Sequence, residues 1–414
     1  MSKKLSAVLA IVVVATMVLT ACAPAATPAP TTAPAPAQPT AAPVQPTAAP
    51  AMPTAAPTAA MAAPTTAMAA PTTAPTAAMA APTTAPTAAL SSTSGANTKV
   101  CLVTDVGGIN DKSFNATAWK GVTEAQTDYG ITSQYLQSKQ QTDYAKNIQA
   151  YIDAKCNLIV TVGFLLGDAT KAAAIANPTM DFSIVDNAYD PPISNIRALT
   201  FSTDQAAFLA GYLAAGMTKS GKIGTFGGLQ IPTVTIFEDG FYAGAMYYNK
   251  IHSTSVQVLG WDPIKKTGLF AGGFNDQTQG KNNANNLMQE GADIIMPVAG
   301  AVGLGAAAAV QAAGNGTLVI GVDTDWTVSA ADYTPITLTS VMKNMDVAVH
   351  DTIASVIAGN FQGGNYVGTL ANNGVQIAPF HALDSKVPDA LKTELTQLKA
   401  DIISGKVSVA PVAQ

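Results

Sequence analysis

The sequence predicts an α/β protein of two lobes, preceded by a disordered linker. Three observations lead there. After Lys3 and Lys4 no charged residue occurs until Lys99, so residues 99–414 form a compositionally separate unit. Within it, apolar runs such as KVCLVTD, CNLIVTVG and ADIIMPVA lack period-two alternation and are separated by helical segments, as in parallel strands buried on both faces. A folded unit of roughly 310 residues is also long enough for two lobes.

The chain opens with an export address. Met1 to Lys4 make a positive n-region, and Leu5 to Leu19 an apolar stretch of signal-peptide length, short for a membrane span. Leu19-Thr20-Ala21-Cys22 then reads as a bacterial lipobox, which makes Cys22 the first mature residue and the lipid carrier. Several acyl chains together anchor stably, whereas one is marginal at about 0.8 kcal/mol per buried CH₂. The alternative is an ordinary signal peptide with an incidental cysteine. Residues 23–98 are almost entirely Ala, Pro and Thr with scattered Met, and MAAPTTA recurs from Met61 onward. With no apolar periodicity and frequent Pro, this is a tether leaning to polyproline II, with a reach on the order of 200 Å if fully extended. No later segment offers about 18 uncharged apolar residues, which puts the folded part outside the membrane.

From Lys99 the βα units follow in order. KVCLVTD is a strand ending in Asp105, and Gly107-Gly108 makes a turn. A helix from about Ser113 to Tyr129 carries Phe114, Trp119, Val122 and Ala125 at helical spacing, with Gly130 as its C-cap. ITSQYLQ, CNLIVTVG and DFSIVD are strands, separated by helices near Asp143–Lys155 and Asp168–Asn177. A long apolar helix near Asp204–Met217 leads to the strand KIGTFGG, and later strands are SVQVLGW, ADIIMPVA and TLVIGVD. Ligands of such sheets sit beyond the carboxyl ends of the strands. The residues to inspect are therefore Asp105, Asp186, Phe274, Gly300 and Asp323.

Several chemistries are disfavoured. The folded part is acidic, whereas nucleic acid requires a basic face. Three cysteines without a CxxC, and three dispersed histidines without HExxH spacing, support no metal site. Gly216–Lys222 matches GxxxxGK, but Ile223 stands where a P-loop needs Ser or Thr, and the helix precedes rather than follows. Gly303-Leu304-Gly305-Ala306-Ala307-Ala308 with Asp323 beyond it imitates a dinucleotide fingerprint, though any βαβ unit with glycines at a helix start looks alike. No GxSxG nucleophile is present. Asp323-Thr324-Asp325 begins like a calcium loop but has Val328 at the position that needs Gly. No cofactor is expected, and no catalytic residue.

Eight segments then carry a resemblance. Val103–Gly121 (VTDVGGINDKSFNATAWKG), Ile184–Asn187 (IVDN), Phe208–Ala215 (FLAGYLAA) and Phe237–Ala245 (FEDGFYAGA) come first. Gly272–Gly280 (GGFNDQTQG), Val298–Gly305 (VAGAVGLG), Ile320–Asp325 (IGVDTD) and Leu338–Val349 (LTSVMKNMDVAV) follow in the same order as in the family. Together they resemble the basic membrane protein family, lipoproteins similar to bacterial purine nucleoside receptors. The resemblance covers nearly all of residues 99–414 and implies a type I periplasmic-binding-protein fold: two Rossmann-like lobes, a hinge of three crossovers and ligand in the cleft. On that basis lobe 1 is about 99–203 and 337–372, and lobe 2 about 204–336 and 373–414. It also implies a non-enzymatic, monomeric, extracytoplasmic component of an ABC importer, with permease and ATPase as separate chains.

Carried over residue by residue, the resemblance implies a stacking clamp of Phe114 and Phe274 on a purine. Stacking would contribute about 1–3 kcal/mol per base. Asp105 and Asp186, as carboxylates that only accept, suit base N–H or sugar O–H groups. Asp323 is placed to accept from ribose hydroxyls and Lys343 to donate to ribose oxygens, while Gly300 lets the backbone approach the sugar. Asn110 and Asp111 either reach the ligand or cap the helix. Asp325 is a candidate for support behind them. Where the family often has Gln, this chain has Trp326, which either narrows the pocket mouth or packs against a hinge. Cys101 and Cys156 each introduce a neighbouring strand and are open to two readings, a disulfide or two small buried thiols. The leading expectation is a receptor for a purine nucleoside, held to the membrane through lipid on Cys22. The alternatives are the same role for a sugar or another aromatic metabolite, an NAD-dependent enzyme, and a surface protein that binds a host or matrix partner.

Overall fold

The computed structural model describes residues 94–411. The leader, the lipobox with Cys22 and residues 23–93 of the tether lie outside the described residues. Among those described, no helix is long and apolar enough to cross a membrane.

The first lobe is a six-stranded parallel sheet. Strands β1 (Lys99–Thr104), β2 (Thr132–Gln137), β3 (Leu158–Val162), β4 (Asp181–Val185) and β5 (Ile196–Phe201) run in the order 5-4-3-1-2, and a late segment, Gly364–Gly368, lies beyond β5 at the edge. β3 is buried throughout, and β1 and β4 at every residue but the first, as continuous apolar runs require, while β2 at the other edge is largely exposed. Helix α1 (Phe114–Tyr129) stops at Gly130, whose φ of 70° is the left-handed conformation expected of a C-cap. Helices α2 (Tyr144–Asp153) and α3 (Gly167–Ala176) complete the sequential βα units. Cys101 on β1 and Cys156 just before β3 form a disulfide, with Cα atoms 6.0 Å apart, which decides between the two readings.

The second lobe repeats the plan. Helix α4 (Thr203–Met217) leads into β6 (Lys222–Gly227), then α5 (Pro232–His252) and β7 (Gln257–Leu259). A two-stranded ribbon, β8 (Trp261–Asp262) with β9 (Thr267–Gly268), replaces the end of the longer strand SVQVLGW expected from sequence. Then come α6 (Gln277–Gln289), β10 (Ile294–Val298), α7 (Ala301–Ala313), β11 (Leu318–Asp323), the short α8 (Trp326–Ser329) and β12 (Thr337–Lys343). Helix α9 (Met345–Ile357), β13 (Gly364–Gly368), β14 (Val375–Ile377) and α10 (Asp389–Ile403) complete the chain. The order 14-12-11-10-6-7 makes β12, β11, β10, β6 and β7 the counterparts of β5, β4, β3, β1 and β2. Helices α4 and α5 touch backbone to backbone: a Cβ at Gly211 would lie 2.0 Å from the Phe241 carbonyl oxygen, and one at Gly244 1.9 Å from that of Phe208.

The chain passes between sheets three times, after β5, after β12 and after β13, which is the hinge of three crossovers of a type I periplasmic-binding-protein fold. One boundary is corrected. The expectation placed 337–372 in lobe 1, but β12 pairs in parallel with β11 and belongs to the second sheet; the crossover comes after Lys343, and α9 packs on α1. β5, β12, β13 and β14 are additional to the strands expected from the sequence. β12 is TLTSVMK, buried at every residue but Met342, and its polar side chains conceal it: Thr339 Oγ1 is satisfied by the Ala378 carbonyl, and Ser340 Oγ accepts from the Trp326 amide.

Candidate functional site

The carboxyl ends of both sheets face a common cleft enclosing about 550 Å³ of empty space, part of it open to solvent. Asp105, Asp111, Phe114, Asp186, Phe274, Gly300, Asp323 and Lys343 all line it. Asn110 is exposed and stands outside that lining, one residue before the chain turns inward at Asp111.

β1 delivers Asp105, 7% exposed. Its Oδ1 accepts from the Gly107 amide and from Asn115 Nδ2, each at 2.8 Å. Burial pushes this carboxyl up to about 6, against those two hydrogen bonds. Asp111 accepts from the amides of Ser113, Asn115 and Ala116 at 2.7–3.0 Å and so caps α1 while lining the cleft; burial raises its pKa against those bonds. The cap fixes the first turn of α1, from which Phe114 enters the cleft.

Asp186 follows β4 and Asp323 ends β11, at equivalent places in the two lobes. Both are in the left-handed region, with φ of 68° and 69°, which Asp tolerates better than most side chains. Lys343, the last residue of β12 and 2% exposed, puts its Nζ 2.6 Å from Asp186 Oδ2 and 4.0 Å from Asp323 Oδ1. The same ammonium lies 4.8 Å from the centre of the Phe114 ring, 5.6 Å from that of Phe237 and 5.7 Å from that of Phe201, so its charge is met by two carboxylates and three π faces. Burial pushes Asp323 up to about 6, opposed by Lys343 and by Ser113, whose Oγ donates to Asp323 Oδ2 at 2.6 Å.

Phe114 comes from lobe 1 and Phe274 from lobe 2. Phe274 is not at a strand end: it stands in the loop before α6, its ring against Gly228, where a Cβ would fall 2.3 Å from it. Phe164 and Phe237 add two further aromatic walls. Asn275 Nδ2 donates to the Val106 carbonyl at 2.6 Å, and together with Ser113–Asp323, Ser113–Val322 and Lys343–Asp186 it links the lobes. Sequence reasoning missed Ser113, Asn115, Phe237 and Asn275. Asn115 and Asn275 each sit within the quoted motifs, one residue after a clamp phenylalanine, and that position was their signal.

Trp326 does neither of the things expected of it. It is fully buried inside lobe 2, its Nε1 donating to the Val322 carbonyl, in space left by Gly303 and Gly321. Asp325 caps α8 through the Thr327 amide and lies 2.6 Å from His381 Nε2, away from the cleft. The imitation motifs resolve into packing. Gly305 lets α7 meet α6, and the amides of Lys219 and Ser220 donate to the Asp293 carboxylate.

Residues 98–410 match the family described as ABC transporter substrate-binding protein PnrA-like. The ABC transporter nucleoside-binding protein BmpA of Lactococcus lactis is 33% identical over 337 residues, covering 77% of this chain and 91% of that protein. Basic membrane protein A of Borreliella burgdorferi is 32% identical over 314 residues, covering 75% and 87%. An ABC transporter solute-binding protein from Aeropyrum pernix superposes with a TM-score of 0.69 at 25% identity, covering 77% and 94%. The chain belongs to the PnrA-like family of ABC transporter substrate-binding proteins, extracytoplasmic receptors that bind their ligand rather than convert it.

Proposed function

We propose that the cleft binds a purine nucleoside and hands it to a permease and ATPase, with the receptor tethered to the membrane by lipid on Cys22. One observation carries the reading: phenylalanines from different lobes, Phe114 and Phe274, line a single cleft whose floor holds Lys343 between Asp186 and Asp323. A flat base fits between phenyl faces, gaining dispersion and apolar burial. Asp105, with its Asn115 partner, suits the N–H edge of the base. Asp323 accepts from ribose hydroxyls, Lys343 donates to ribose oxygens, and Gly300, with φ 53°, leaves room for the sugar. Asp186 holds Lys343 in place. Asn110 has no part in this site. The name of the L. lactis relative, a nucleoside-binding protein, supports the same ligand class.

Calorimetry with adenosine, guanosine, inosine, the free bases and ribose tests the reading. Heat from at least one nucleoside, exceeding that from its base or sugar alone, is expected. No heat from any nucleoside at millimolar concentration overturns it, and mass spectrometry of solute released on denaturation then identifies the sugar or aromatic metabolite bound instead. Anchoring is tested by Cys22→Ser, which should release the protein from the membrane fraction.

A further inference from the structure

A second crevice opens in lobe 1, at the opposite ends of the strands from the cleft. It lies between the β5–β13 edge of the sheet and α9, and encloses about 820 Å³ of empty space counted to its open mouth. Its floor carries Arg197, the single arginine of the chain. Arg197 is the second residue of β5 and is only partly exposed, yet its guanidinium makes no hydrogen bond or ion pair with any described residue. A guanidinium has five donors in a planar fork, and withdrawing it from water without a partner is unfavourable.

The remaining walls are hydrogen-bonding groups. The side-chain amides of Asn360 and Gln362 line the crevice and make no hydrogen bond to a described residue. The hydroxyls of Thr352 and Ser355 donate to the Ala348 and Thr352 carbonyls, at 2.7 and 2.6 Å, which leaves their oxygens as acceptors. Asp351 stands at the rim with its side chain 75% exposed and does not close on Arg197. Tyr366 also lines the crevice; burial, and to a lesser degree Asp351, raises its phenol pKa, and Arg197 lowers it.

We infer that this crevice is a second ligand site, for a small hydroxylated organic acid whose carboxylate or phosphate ester is taken by Arg197 and whose hydroxyls are taken by Asp351, Thr352 and Ser355. Arg197, Asn360 and Gln362 supply donors and Asp351, Thr352 and Ser355 supply acceptors, which matches a ligand that carries both an acid group and hydroxyls. An apolar ligand would strand the guanidinium; a bare inorganic anion would leave the acceptors unused. The guanidinium fork is suited to planar, two-point capture of either acid group. The site is independent of the nucleoside reading: it shares no residue with the cleft.

The experiment is calorimetry on the full protein with gluconate and ribose 5-phosphate as probes, and glucose and ribose as neutral controls. At least one acid is expected to bind with Kd at or below about 1 mM, and both sugars at least about tenfold more weakly. Which acid binds decides between carboxylate and phosphate. Arg197→Gln should remove the binding, and Asn360→Asp, on an exposed loop, should weaken it at least about tenfold by placing a carboxylate beside the acid group. Phe274→Ala, in the cleft, should leave it unchanged. Circular dichroism checks that each variant is folded. The inference is overturned if neither acid binds the wild-type protein, if binding survives Arg197→Gln, if Asn360→Asp weakens it less than about tenfold, or if Phe274→Ala abolishes it.

Discussion

Lys343 Nζ lies 2.6 Å from Asp186 Oδ2, which ties the last residue of a lobe 2 strand to the first residue beyond a lobe 1 strand. Both side chains are at least nine-tenths buried, so the pair works at low dielectric and its geometry decides its worth. The crossover to α9 begins immediately after Lys343, which places this contact at the hinge.

Lys343→Met removes the cation and leaves Asp186 and Asp323 facing each other. Breaking a buried pair by removing one partner costs about 3–5 kcal/mol. Chemical denaturation should show a loss of that order, and calorimetry should show nucleoside binding falling below detection. An unchanged affinity in a folded variant would remove Lys343 from the site.

Phe114→Ala and Phe274→Ala should each lower nucleoside affinity by about 1–3 kcal/mol, the worth of one stacked base. Leucine at either position should recover part of it through apolar burial. Because Phe274 stands on a loop at the cleft wall, its truncation should move the melting temperature less than that of Phe114, which begins α1. Titration calorimetry paired with thermal melts separates the two effects.

Burial pushes the carboxyls of Asp105 and Asp323 up to about 6, from the ordinary 3.8. A raised carboxyl binds protons more tightly folded than unfolded, so stability from these groups is present below pH 4 and falls as pH rises through 6. Binding runs the other way, because the ionised forms accept from the ligand. Affinity for a nucleoside should therefore rise from about pH 5 to about pH 7, and Asp323→Asn should flatten the profile while weakening binding. Calorimetry across this range checks the sign; an affinity independent of pH would contradict it.

The Cys101–Cys156 disulfide closes a loop of 55 residues, and the chain-entropy relation gives a contribution of about 4 kcal/mol. Cys101→Ser with Cys156→Ser, or reduction by a phosphine, should lower the melting temperature. Neither cysteine lines the cleft, so ligand affinity of the folded protein should stay within about twofold of wild type.

Trp326→Ala should cost about 3–5 kcal/mol through the cavity it leaves, without changing which nucleosides bind. A change in ligand preference at constant stability would return Trp326 to the cleft, contrary to its place beneath β11.

By itself the sequence determined the α/β class and the βα order of both lobes, because continuous apolar runs are local signals; the hinge, and eight residues that line the cleft, came through the resemblance. It misplaced β12 because a strand whose Thr and Ser side chains are satisfied by neighbouring backbone groups looks polar in one dimension. It could not tell whether Cys101 and Cys156 pair, since that depends on the parallel register of β1 with β3. It could not choose between cap and ligand for Asp111, which turned out to line the cleft and cap the helix together. Only the tertiary structure decided that Trp326 is interior, that Asn110 faces outward, and that Ser113 and Asn275 reach across the lobes. The links from Ser113 and Asn275 depend on distances between residues more than a hundred positions apart, set by how two sheets close on each other, and the place of Trp326 depends on the space that Gly303 and Gly321 leave inside one lobe, which no local pattern shows.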